Sequence, residues 1–116
     1  MTGFPVRHRS TPRQGAYVAR ALRELRHWSA VAVRETPDGV AVAVQGTSIL
    51  RTSGLNEMRL RLTAPVIRRL EPQLWESGQV HACPDRAWVA VQVDTEPGME
   101  LLLALTSVAI QAHAHP

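Results

Sequence analysis

The sequence predicts a two-layer α+β domain, an antiparallel sheet with its helices on one face, in the order α-β-β-β(-β)-α-β-β-α. Three observations lead there. Two pairs of short, β-branched runs are joined by turn-forming residues, at Thr36-Pro37-Asp38-Gly39 and at Pro84-Asp85-Arg86. Three segments, at the start, the middle and the end, carry apolar residues at helical spacing. Every connection is short enough to be a hairpin or a helix laid across one side of the sheet. A chain of 116 residues, 45% apolar and 20% charged, fits one domain with one core.

Residues 1–12, with Gly3, Pro5 and Pro12, read as a flexible basic arm, and residues 13–114 as the single domain. Helical periodicity is expected over 13–28. Val18, Ala21, Leu22, Leu25 and Trp28 share one side, and Arg13, Arg20, Arg23, Glu24 and His27 share the other. Residues 30–35 and 39–45 alternate Val with Ala around a turn in which proline sets φ and glycine supplies a positive φ. A third strand is expected at 47–51 and a fourth at 56–62. In the fourth, Met58, Leu60 and Leu62 point inward and Arg59 and Arg61 outward.

Thr63 is placed to cap the second helix, with Pro65 tolerated in its first turn. Val66, Ile67, Leu70 and Leu74 form its buried stripe, with a break near Leu70–Glu71 because Pro72 cannot donate a hydrogen bond. Gly78 stops the helix. The second hairpin pairs 79–83 with 87–93, with Val89, Val91 and Val93 on one face and Trp88 on the other. Asp94 or Thr95 caps the last helix, 97–113. Leu101, Leu102, Leu105, Val108, Ala109 and Ala112 face the core, while Met99, Leu103 and Ile110 lie on another side. A helix apolar on more than one side is deeply buried or part of an interface. Met99, Leu103 and Ile110, with Trp75, are therefore the expected contact residues of a homodimer or a protein partner.

The formal charge is +3, and every basic residue is arginine. Arg7, Arg9 and Arg13 account for the whole excess, because residues 14–116 hold ten arginines against ten acids. A neutral body can still carry a basic stripe, and Arg20, Arg23, Arg59 and Arg61 join the three N-terminal arginines as candidate nucleic-acid contacts. A single cysteine, Cys83, leaves no internal disulfide. With no apolar h-region in residues 1–13, the reading is cytoplasmic. No apolar run approaches the roughly 20 residues of a membrane span, so no membrane partner is expected.

Catalytic constellations are sparse. Gly39 and Gly46 flank a strand rather than opening a helix, so they form no phosphate loop. There is no Gly-x-Ser-x-Gly, and no carboxylate pair has the spacing that acid–base work needs. Phe4, Tyr17, Trp28, Trp75 and Trp88 form no stacking ladder. His81 and Cys83, two apart on a strand, are the metal candidates, and they lack third and fourth ligands. No enzyme activity and no cofactor are expected.

The second half carries a pattern: Arg59-Leu60-Arg61-Leu62-Thr63-Ala64-Pro65, a helix, Ser77-Gly78-Gln79-Val80-His81, then Ala87-Trp88-Val89-Ala90-Val91 and a leucine-rich closing helix. It resembles two groups of small bacterial proteins, the luciferase-like domain group and the MmcQ/YjbR group with its double-wing, DNA-binding fold. The resemblance spans roughly residues 55–112. In both groups a His-Pro-like step precedes Trp-Val-x-Val; here the histidine and proline are separated, as His81-Ala82-Cys83-Pro84. Ser53–Met58 has no histidine where the luciferase-like group tends to have one, so no His-based site carries over. The element order is also similar to that of type III secretion chaperones, which are dimeric and bind peptides.

Three functions follow as expectations. The first is a non-enzymatic protein-interaction module, dimeric through its last helix. The second, implied by the MmcQ/YjbR resemblance, is DNA binding, which would be favoured if Arg20, Arg23, Arg59 and Arg61 shared one face. The third is a small-ligand or enzyme-accessory role, which would need a pocket containing His81.

Overall fold

The computed structural model describes residues 15–114; the expected arm, with Arg7, Arg9 and Arg13, lies outside the described residues. The order is α1 (Ala16–Leu25), β1 (Ala32–Thr36), β2 (Gly39–Val44), β3 (Thr47–Thr52), β4 (Glu57–Arg61), α2 (Ala64–Leu70), α3 (Gln73–Glu76), β5 (Val80–Ala82), β6 (Trp88–Gln92) and α4 (Glu96–Ala114). The six strands form one antiparallel sheet in the order β1-β2-β3-β4-β6-β5. The third strand is real, and the predicted α+β class stands.

The turn chemistry explains the hairpins. Gly39 has φ 145°, and its neighbour's amide, Val40 N–H, donates to Thr52 Oγ1 at 3.0 Å. Gln45 and Gly46 both have positive φ, 51° and 84°, as a two-residue hairpin connection requires. Between β2 and β3 the register shifts: Val42 faces Leu50, but Ala43 faces Ser48. Ile49 is thus the extra residue of a bulge, and the bulge turns both Ile49 and Leu50 into the core, where each is fully buried.

One row of cross-strand neighbours states how the sheet packs. Val33, Val42, Leu50, Leu60, Val89 and Ala82 lie in register across all six strands. On this face the helices close the core, which includes Val18, Leu22, Leu25, Met58, Leu102 and Leu105.

The second helix breaks where Pro72 interrupts it, at a cis Glu71–Pro72 bond, giving the short α2 and α3. Thr63 does not cap α2 with its side chain. Its φ of 78° leaves the hydroxyl without a cap hydrogen bond, and the backbone carbonyl instead accepts Ile67 N–H at 3.1 Å. Thr95 does cap α4, its hydroxyl accepting Gly98 N–H at 3.1 Å. Helix α1 is shorter than the expected 13–28. It ends at Leu25, beyond which Trp28 folds back to donate its indole N–H to Glu24.

The last helix differs most from expectation. Helix α4 lies across β2, β3, β4 and β6 with α1 beside it. On its other flank, Leu101 and Leu105 border a cleft with Leu70 and Leu74 of α2 and α3. It is therefore the middle member of the helical layer, and its several apolar sides are met by neighbours within the chain. Met99, expected at an interface, is buried in the core; Leu103 and Ile110 are half-buried and packed against it. The solvent stripe is Glu100, Ala104, Ser107 and Gln111. No helix among the described residues is long and apolar enough to cross a membrane.

Candidate functional site

The next row of the sheet, one residue along each strand, points the other way. It reads Arg34, Ala41, Arg51, Arg59, Ala90 and His81 across β1-β2-β3-β4-β6-β5. Among the described residues no helix packs on this face: Arg34, Arg51 and His81 are exposed, and Arg59 is half-buried. Arg61, opposite Trp88 on β6, belongs to the same face. With strands about 4.8 Å apart, Arg51 and Arg59 are immediate neighbours and Arg34 stands two strands, roughly 10 Å, from Arg51.

The electrostatics of this face are one-sided. Four arginines stand against Glu57, whose carboxylate meets Arg59 Nε at 3.3 Å. Arg51 sits directly opposite Arg59, and like charges in that position destabilise a sheet. Part of the cost is offset by Glu57, and part by the Trp88 ring, over which the Arg51 guanidinium lies at 4.8 Å. Ala41, Ala43 and Ala90 keep the floor between the arginines low. Beside Arg34, Ala32 and Ala43 help line a depression of about 310 Å³.

The other predicted contacts are elsewhere. Arg20 and Arg23 project from α1, in the helical layer on the opposite side of the molecule. There they border a shallow cleft with Glu24, His27 and Met99, and Arg20 stacks over Tyr17 at 5.4 Å. Arg20 and Arg23 therefore do not share a face with Arg59 and Arg61. Arg59 and Arg61 share theirs with Arg34 and Arg51. Composition passed over these two because each is flanked by residues of ordinary strand character. Only register brings them together.

His81 and Cys83 also part company. His81 ends the outward row, whereas Cys83 lies past the end of β5 and lines a cleft with Trp75 and Trp88. Burial pushes the Cys83 thiol above its ordinary value, partly countered by Arg59. His81 does not line that cleft, and no group of three metal-binding side chains occurs among the described residues. Of the expected contact residues, Trp75 is half-buried, its indole N–H donating to Glu71 at 3.0 Å.

These features define a class: a small α+β domain with one sheet face covered by helices and the other open and arginine-rich. The family profile described as Luciferase domain matches residues 46–109, more than half of the chain, from β3 into α4. The chain belongs to this family. The match supports the luciferase-like half of the resemblance and leaves the MmcQ/YjbR half without support. No curated protein and no solved structure matches the chain.

Proposed function

We propose that this luciferase-family domain is a binding module whose open sheet face takes the phosphate backbone of a nucleic acid. One observation carries the reading: Arg51 and Arg59 are held in register on an uncovered face, with Arg34 and Arg61 around them. A sheet that only needed solubility gains nothing from placing like charges opposite each other. An anionic partner turns that repulsion into attraction. The neutral total of the body is no objection, because by register Glu57 is the one acid among the arginines of this face, while Glu24 sits on α1, Glu71 and Glu76 by α3, and Asp94, Glu96 and Glu100 at the start of α4.

The protein-interaction reading through α4 draws on less. It rests on the helix's apolar excess, of which Met99, Leu102, Leu105 and Ala109 are buried inside the chain. What supports it is the half-buried trio Leu103, Val108 and Ile110.

The test is fluorescence anisotropy with labelled duplex and single-stranded oligonucleotides across a salt series. Each phosphate contact contributes about 0.9 to the slope of log affinity against log salt on duplex. The Arg51→Gln/Arg59→Gln double variant is expected to lower that slope by about 2. Arg20→Gln/Arg23→Gln, on the opposite layer, leaves it unchanged. A residues 14–116 truncation isolates the contribution of Arg7, Arg9 and Arg13. No binding by any form at low salt sinks the proposal.

A further inference from the structure

We infer that the cleft between α2/α3 and the β5–β6 hairpin is a binding site for a small, flat aromatic carboxylate. The cleft encloses about 280 Å³. Two indoles from different elements, Trp75 on α3 and Trp88 on β6, both line it, and Ile67, Ala64 and Ala82 complete an apolar wall. A pocket that converges two tryptophans on one small volume favours a flat ring, which offers each indole a stacking or edge contact. The volume lies at the small end for ligand pockets, which suits one or two fused rings and excludes anything as large as a dinucleotide.

The polar groups select the charge. Arg68 and Arg86 stand at the cleft, and neither is in an ion pair among the described residues. The acid that lines it, Glu71, already accepts the Trp75 indole N–H at 3.0 Å. Asp85, next to Arg86, accepts the backbone N–H of Ala87 at 3.0 Å. Arg68 and Arg86 outnumber the one lining acid, so the cleft presents net positive charge to a ligand carboxylate, which a guanidinium suits by bidentate hydrogen bonding. Cys83 contributes a neutral wall, since burial favours its protonated thiol. The carboxylate is held by Arg68 and Arg86 rather than by the arginine row, although Trp88, whose ring also carries Arg51, borders both sites.

Cys83, the chain's one cysteine, also reports on occupancy from inside the cleft. The experiment follows its alkylation by N-ethylmaleimide in the full chain by mass spectrometry, with 2-naphthoate or the uncharged 2-naphthamide present. Naphthoate at saturation is expected to slow the reaction about fivefold or more, and naphthamide at equal concentration to bind roughly tenfold more weakly. Arg68→Gln/Arg86→Gln, at two exposed positions that do not threaten folding, weakens naphthoate protection about tenfold. Trp75→Ala removes it. Equal protection by acid and amide, protection that survives loss of both arginines, or no protection by naphthoate overturns the assignment.

Discussion

Cys83 illustrates how a single residue reports its surroundings. Desolvation raises its pKa, Arg59 and Arg51 pull it down, and Glu57 and Asp85 push it up. The thiolate is the reacting form, so the pH at which alkylation reaches half its maximal rate should lie above the ordinary thiol value of about 8.5. Removing Arg59 takes away the largest opposing influence. The Arg59→Gln midpoint should therefore move further up, and a downward shift would show that Arg59 does not act on the thiol. Thr52 makes a second residue-scale case. Its hydroxyl is the acceptor for Val40 N–H beside the β1–β2 turn. Thr52→Val strands that donor and should cost about 1–3 kcal/mol in urea denaturation, whereas Thr52→Ser, which keeps the oxygen, should cost less.

At the scale of elements, α4 shows what local pattern can and cannot say. Its helicity and its extent were readable from the apolar spacing between Pro97 and His113. The break at Pro72 and the hairpin at Thr36–Gly39 were equally readable, because each depends on residues within one turn of chain. What α4 packs against was not, since that depends on α1 and α2/α3 flanking it on the sheet. Leu102, fully buried against the sheet side, and Leu103, half-buried, test this arrangement. Leu102→Ala should cost about 2–5 kcal/mol, and Leu103→Ala markedly less, with no change in oligomeric state. If Leu103→Ala instead altered the sedimentation of the chain, α4 would be an intermolecular contact after all. The start of α4 adds a further expectation. A Cβ on Gly98 would meet the Gln92 carbonyl oxygen at 2.5 Å, a backbone atom of β6 that cannot swing away. Gly98→Ala should therefore lower stability by about 1–3 kcal/mol, visible as a lower Tm.

At the scale of the whole molecule, the candidate site depends on long-range register. The alternation in β4 was enough to point Arg59 and Arg61 outward. Arg51 faces Arg59 across the β3–β4 hairpin, but nothing local to residue 34 could place it in the same row. That placement follows from the strand order, from three hairpin connections, and from the bulge at Ile49, which shifts the β2–β3 register by one residue. The cleft is more local, since Trp75 on α3 and Trp88 on β6 line it from either side of the short β5 strand. Sequence charge counting saw a neutral body because it sums over both layers. The fold gathers four arginines, Arg34, Arg51, Arg59 and Arg61, on the open sheet face, where Glu57 is the one acid by register. Among the described residues Leu55 is the only large hydrophobic side chain that is exposed.

The salt series compares the full chain with Arg51→Gln/Arg59→Gln on the same duplex, and it tests the central claim most directly. The predicted result is binding that weakens linearly on a log–log plot, with a slope smaller by about 2 in the double variant and unchanged in Arg20→Gln/Arg23→Gln. Equal slopes for the double variant and the unaltered chain, or no binding at low salt, would contradict the assignment of the open sheet face to a phosphate backbone.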